Sequence, residues 1–180
     1  LIHFGKAVTP IPFTSIMYGR GLTNSTTAFG SVHLTALLFG NIQTDLGVCQ
    51  QLYKNDSLKF GITINPAINM VYDKWNKNFR AWPQLDANVY KDILKQKAFV
   101  YVGLTNWFEF SSTRAHGEPQ TNHALINPHV GMSYNTKKWG YTFECKFLQM
   151  NKKNVPNVVD YVGINQHGAV GVYLNFVRRF

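Results

Sequence analysis

The stretch STRAHGEPQTNH, residues 112–123, gathers Arg114, His116, Glu118 and His123 in one polar segment. Imidazole and carboxylate groups can ligate a metal ion or move a proton. His116 and Glu118 are two residues apart and His123 follows five residues later, which matches no metal-ligand spacing. A solvated loop with incidental histidines explains the same residues, and neither a metal nor another cofactor is implied. A second set of charges is dispersed through alternating segments: Asp45, Lys59, Glu109, Glu144 and Lys146. Both signs are present, so these groups can pair with one another if folding takes them out of water.

The elements that position these residues repeat every two residues. LKFGITINPAINMVYD, residues 58–73, puts Leu58, Phe60, Ile62, Ile64, Ile68 and Tyr72 on one face and Lys59, Thr63, Asn65 and Asn69 on the other. Period-two alternation signals a β-strand with one apolar face. The same alternation fills 41–53, 97–111, 138–150 and 166–180, and more weakly 82–91 and 123–134. Segments 13–21 and 28–39 also read as extended, which makes nine in all. Turn signals fall at 24–27, 54–57, near 95 and at 135–138, with longer polar loops at 74–81, 112–122 and 151–163. The phase is continuous from Val32 to Leu52 across Gly40, which allows one bent strand there. No helix and no repeat is expected.

Composition narrows the architecture. The chain has 180 residues, 15% charged and 14% aromatic, with a net charge of +9. One domain is expected over residues 1–180. No run reaches the ~18 apolar residues of a membrane helix, which excludes a helical membrane protein but not a membrane barrel. The sequence begins at Leu1 with neither an initiator Met nor a signal peptide, so an export signal or lipidated Cys would lie upstream. Cys49 and Cys145 fall on opposite types of face and are expected to remain unpaired.

Alternating hairpins build either a soluble barrel, apolar side inward, or a membrane barrel, apolar side outward. A soluble exterior should be rich in Lys and Glu. The second face here is largely Gly, Ala, Thr, Asn, Gln and Ser, which suits a narrow lumen better. The expectation is a closed antiparallel up-and-down transmembrane barrel of 8–10 strands, with residues 1–8 as one source of an even count. Asp45, Lys59, Glu109, Glu144 and Lys146 would then form a lumen network.

The last strand, QHGAVGVYLNFVRRF, alternates Val170, Val172, Leu174 and Phe176 and ends in Phe180. It resembles the C-terminal insertion signal of bacterial outer-membrane β-barrels, although Arg178 stands where that signal has an apolar residue. With YGRGLT at 18–23 and VGLTNWFEFSS at 102–112, the chain resembles small outer-membrane proteins or lipoproteins of Bacteroidota. The resemblance implies a bacterial outer-membrane location and contact with outer-membrane lipid and lipopolysaccharide. Some small barrels of this kind deacylate lipid A with a His and a Ser close in sequence. His129 and Ser133 share a lumen-type face here, farther apart than in that family and on the wrong side, so the site itself does not match.

Basic residues cluster at 74–80, 95–97, 137–138, 151–154 and 178–179. Mixed with aromatics, such clusters could grip single-stranded nucleic acid. Placed at both strand ends, they fit collars facing anionic headgroups better, and no nucleic acid partner is expected. The leading expectation is a non-enzymatic barrel, structural or accessory, in a larger outer-membrane complex for assembly, secretion or nutrient uptake. A lipid A-modifying enzyme and a soluble barrel binding an apolar ligand remain as alternatives.

Overall fold

The computed structural model describes residues 14–94, 97–113, 119–153 and 164–179. These build one antiparallel sheet in strict chain order: β1 (Ser15–Gly21), β2 (Thr26–His33), β3 (Asn41–Asn55), β4 (Phe60–Asp73), β5 (Asn78–Asp92), β6 (Ala98–Glu109), β7 (His123–Asn135), β8 (Trp139–Lys153) and β9 (His167–Arg178). A short helix, α1 (Leu34–Leu38), joins β2 to β3. No described helix is long and apolar enough to cross a membrane, which says nothing about crossing by strands.

The sheet is curled as an open half-barrel. A closed barrel was expected; among the described residues β1 and β9 are not paired. Nine strands laid down antiparallel leave β1 and β9 running in the same direction. A ladder between them would be parallel, unlike the eight that form. The tenth strand expected from residues 1–8 lies outside the described residues.

β2, β3 and β8 each extend by a residue or more into the expected turns and loop, and two larger differences separate the fold from the sequence reading. Val32 to Leu52 is not one bent strand. The Thr14 carbonyl accepts from Leu34 N–H at 2.8 Å, and Thr35 Oγ1 accepts from Thr14 N–H at 2.8 Å. These long-range bonds turn the chain into α1, and Gly40, at φ +76°, closes it in the left-handed conformation glycine adopts readily. The loop expected at 74–81 shrinks to 74–77. From Asn78 onward β5 already alternates, with Phe79, Ala81, Pro83 and Leu85 exposed and Arg80, Trp82, Gln84 and Asp86 covered.

The two faces of the sheet are unlike. The apolar row is the exposed one: Val102 is 58% exposed, Val172 61%, Leu174 64% and Phe176 68%. Val100, Leu104, Val130, Met132, Tyr141 and Phe143 lie on the same outer face. Among the described residues Ala98 is the only buried apolar residue, whereas Ser31, Thr35, Asn69, Thr105, Asn127, His129 and Ser133 are all buried. Burial is therefore polar and inner. Strands two positions apart in a sheet lie ~10 Å apart. Their side chains meet only on a concave face, and they do so here from β3 to β5, β5 to β7 and β6 to β8.

Candidate functional site

The inner face of β4–β9 carries one connected polar cluster, centred on His129. Asp86 on β5 is its anchor. Asp86 Oδ2 accepts from Thr105 Oγ1 at 2.6 Å, and Oδ1 accepts from Asn65 Nδ2 at 3.1 Å and from Asn88 Nδ2. Because the Asn88 amide N–H group faces a carboxylate, its Oδ1 is left as an acceptor. His129 Nε2, 2.7 Å away, is then the donor, which assigns the proton on that ring nitrogen. His129 Nδ1 lies 3.4 Å from Thr105 Oγ1, and the ring meets Tyr101 edge-on at 5.9 Å.

The cluster continues across β8. Tyr101 donates to Glu144 Oε2 at 2.9 Å. Lys146 Nζ lies 3.3 Å from Glu144 Oε1 and donates to Thr105 Oγ1 at 3.2 Å, and it sits 5.6 Å above the ring of Tyr173 on β9. His129 Nε2 is 3.9 Å from Asp86 and 4.0 Å from Glu144. Every charge is thus held by an opposite charge, a donor or a ring, as charges removed from water require. Below the cluster, Asn127 Nδ2 donates to the Thr105 carbonyl at 2.9 Å, and Asn127 Oδ1 accepts from Gln149 N–H at 2.7 Å. Trp107 Nε1 and Asn69 Nδ2 both donate to Gln84 Oε1.

Glycine makes the room. A Cβ at Gly103 would collide with Asn88 Oδ1 and His129 Nε2, and one at Gly131 with the Tyr101 ring. The glycines of these strands are therefore the space into which the large inner side chains fold.

Of the residues expected in a lumen network, Glu144 and Lys146 are in this cluster. Asp45 belongs to a smaller one: its Oδ2 accepts from Ser31 Oγ at 2.7 Å and lies 2.6 Å from His33 Nε2, while its Oδ1 has no partner among the described residues. Glu109 accepts from Ser111 N–H at the end of β6, shaping the loop rather than the cluster. Lys59 is exposed in the 56–59 turn at φ +54°, outside both networks.

His123 opens β7, where its Nδ1 bonds the Thr121 carbonyl beside a shallow cleft lined by Gln120, Gln149 and Lys152. His116 and Glu118 lie outside the described residues, as do Arg114 and Phe180. No metal-holding group of three or more His, Cys, Asp or Glu occurs among the described residues. Ser133 bonds Thr142 on β8, whereas His129 bonds Asn88 on β5, so the two are not joined as nucleophile and base. Phe176 is on the outer face, packed edge-on against Tyr141 at 6.0 Å. Cys49 and Cys145 are free thiols.

Sequence reasoning missed Asp86, Asn88, Thr105 and Tyr101 as network partners. The available signal was a mid-strand carboxylate, Asp86, on the face of 82–91 that also carries Gln84 and Asn88. Chemically, the cluster can hold strands together and fill the concavity. No protein-family model, curated protein or solved structure matches this chain.

Proposed function

We propose that the chain forms the wall of a bacterial outer-membrane β-barrel. It acts as a non-enzymatic structural or accessory subunit, in contact with outer-membrane lipid and lipopolysaccharide and with other outer-membrane proteins. The observation that carries this reading is the inversion of the two faces. Leaving a Val, Leu or Phe side chain in water forfeits roughly 1.5–3 kcal/mol apiece. A whole outer row of such residues, from Val100 to Phe176, favours hydrocarbon as its solvent.

Two further features support it. Strands β3 to β9 run 12–15 residues, beyond the ~9–11 that a tilted membrane strand needs. On the inner face Lys146 and Glu144 are paired with each other, and Asp86 is held by the donors of Thr105, Asn65 and Asn88. A soluble barrel holding an apolar ligand would need Val100, Val102 and Leu104 on the concave side, whereas they are on the exposed one.

The test is fractionation of native membranes followed by mild-detergent extraction, with a lipid-sensitive fluorophore placed at position 102 through Val102→Cys. Retention in the outer membrane, extraction with partner proteins and a label reporting hydrocarbon are expected. Recovery without detergent, or a label reporting water, would overturn the reading.

A further inference from the structure

One rim of the sheet carries an exposed unit that the inner network does not use. It is built from α1 and the 74–77 turn. Trp75 Nε1 donates to the Phe39 carbonyl at 3.3 Å, Lys74 N–H donates to the Gly40 carbonyl at 3.1 Å, and the indole packs on Gly40. The helix and the turn are therefore tied to each other. Its surface is apolar and cationic together: Leu38 is 83% exposed and Trp75 73%, with Leu37, Lys74 and Lys77 exposed beside them.

Lys74 Nζ lies 5.4 Å from the Trp75 ring centre, which leaves its hydrogen bonds available. The one carboxylate of the turn, Asp73, is occupied internally by the Asn76 side chain and by the Trp75 and Asn76 backbone N–H groups. The unit is therefore net positive. Just inside it, Tyr72 and Phe79 are register partners on the outer face, and Ile42 adjoins them.

We propose that this unit, Leu37 and Leu38 with Trp75, Lys74 and Lys77, is a binding site for the headgroup of an anionic phospholipid. The proposal rests on the membrane reading above. The acyl chains lie along the outer row at Tyr72 and Phe79, and the two ammonium groups receive the phosphate just beyond the hydrocarbon edge. Charge complementarity and continuity with the apolar row favour a lipid as occupant, because an amphiphile needs both features in that order from the membrane outward.

The test uses the full chain in phosphatidylcholine vesicles, to which brominated phosphatidylglycerol or brominated phosphatidylcholine is added. The Trp75 signal is obtained by subtracting the emission of Trp75→Phe. Preferential quenching by the brominated phosphatidylglycerol is expected, with a relative affinity about 25-fold over phosphatidylcholine at low salt, from roughly fivefold per lysine. The double variant Lys74→Gln/Lys77→Gln, both at exposed positions, should erase the preference while far-UV circular dichroism is unchanged. Equal quenching by the two lipids overturns the headgroup site and leaves the membrane reading intact. Absence of quenching by either, at Trp75 and in the whole-protein emission, overturns both.

Discussion

Strands β6 and β1 belong to the same sheet and are held in it in different ways. β6 is paired on both sides, and on the concave face Tyr101 bonds Glu144 on β8, Thr105 bonds Asp86 on β5 and lies beside His129 on β7, and Trp107 bonds Gln84 on β5. β1 has seven residues, is paired on one side only among the described residues, and every one of the seven is exposed. The backbone ladder is common to both. What differs is the set of polar side chains reaching over neighbouring strands, and that set exists only where the sheet continues on either side. In this molecule cross-strand polar contact takes the part that an apolar core takes in most domains.

The largest test of this difference removes a charge from the middle of the network. Lys146→Met should cost on the order of 3–5 kcal/mol in chemical denaturation, because Glu144 loses its counter-charge in a covered site. A loss below about 1 kcal/mol would mean that the network is ornamental and that β6 is held no better than β1. A matched pair of substitutions sharpens the point. Gly103→Ala pushes a methyl group into Asn88 and His129 and should destabilise by about 1–3 kcal/mol. Gly19→Ala on β1 meets nothing closer than 3.6 Å and should be neutral or stabilising by up to ~1 kcal/mol. Equal effects at the two positions would erase the contrast.

The smallest effect belongs to the rim. Hydrogen bonds from the Asn76 amide and then the Trp75 N–H hold the Asp73 carboxyl below the usual carboxylate range. A depressed value in the folded state contributes stability above the unfolded carboxylate pKa of about 4, and that contribution disappears as pH falls through the folded value. Amide exchange of Trp75 and Asn76, corrected for intrinsic rate, should therefore rise only below about pH 4. The amides around Thr105 should stay protected in the same range. Simultaneous loosening of both would show that turn and wall are one cooperative unit.

The strands were legible because alternation is a local property. Ile62, Ile64 and Ile68 against Thr63, Asn65 and Asn69 identify both the element and its two faces without reference to any neighbour. α1 was not legible, because HLTALLFG keeps the phase of the flanking strands by coincidence. What bends it is a set of bonds to Thr14, twenty residues away along the chain. The first residues of β5 were hidden by composition: KWNKNFR reads as a polar loop, although Phe79 and Arg80 already alternate. The network was half legible. Glu144 and Lys146 stand out as charges on a small-residue face, but their partners follow from register, which joins Tyr101 to Gly131 and Gly131 to Glu144. Register depends on turn geometry, which no spacing announces.

The odd number of passes has a directional consequence. Ser15 enters the sheet at the rim that carries α1 and the 74–77 turn, whereas Arg178 leaves it beside Trp139 at the opposite rim. The described polypeptide therefore works as a through-connector. Thr14 and Arg179, the outermost described residues, stand at opposite rims of the sheet.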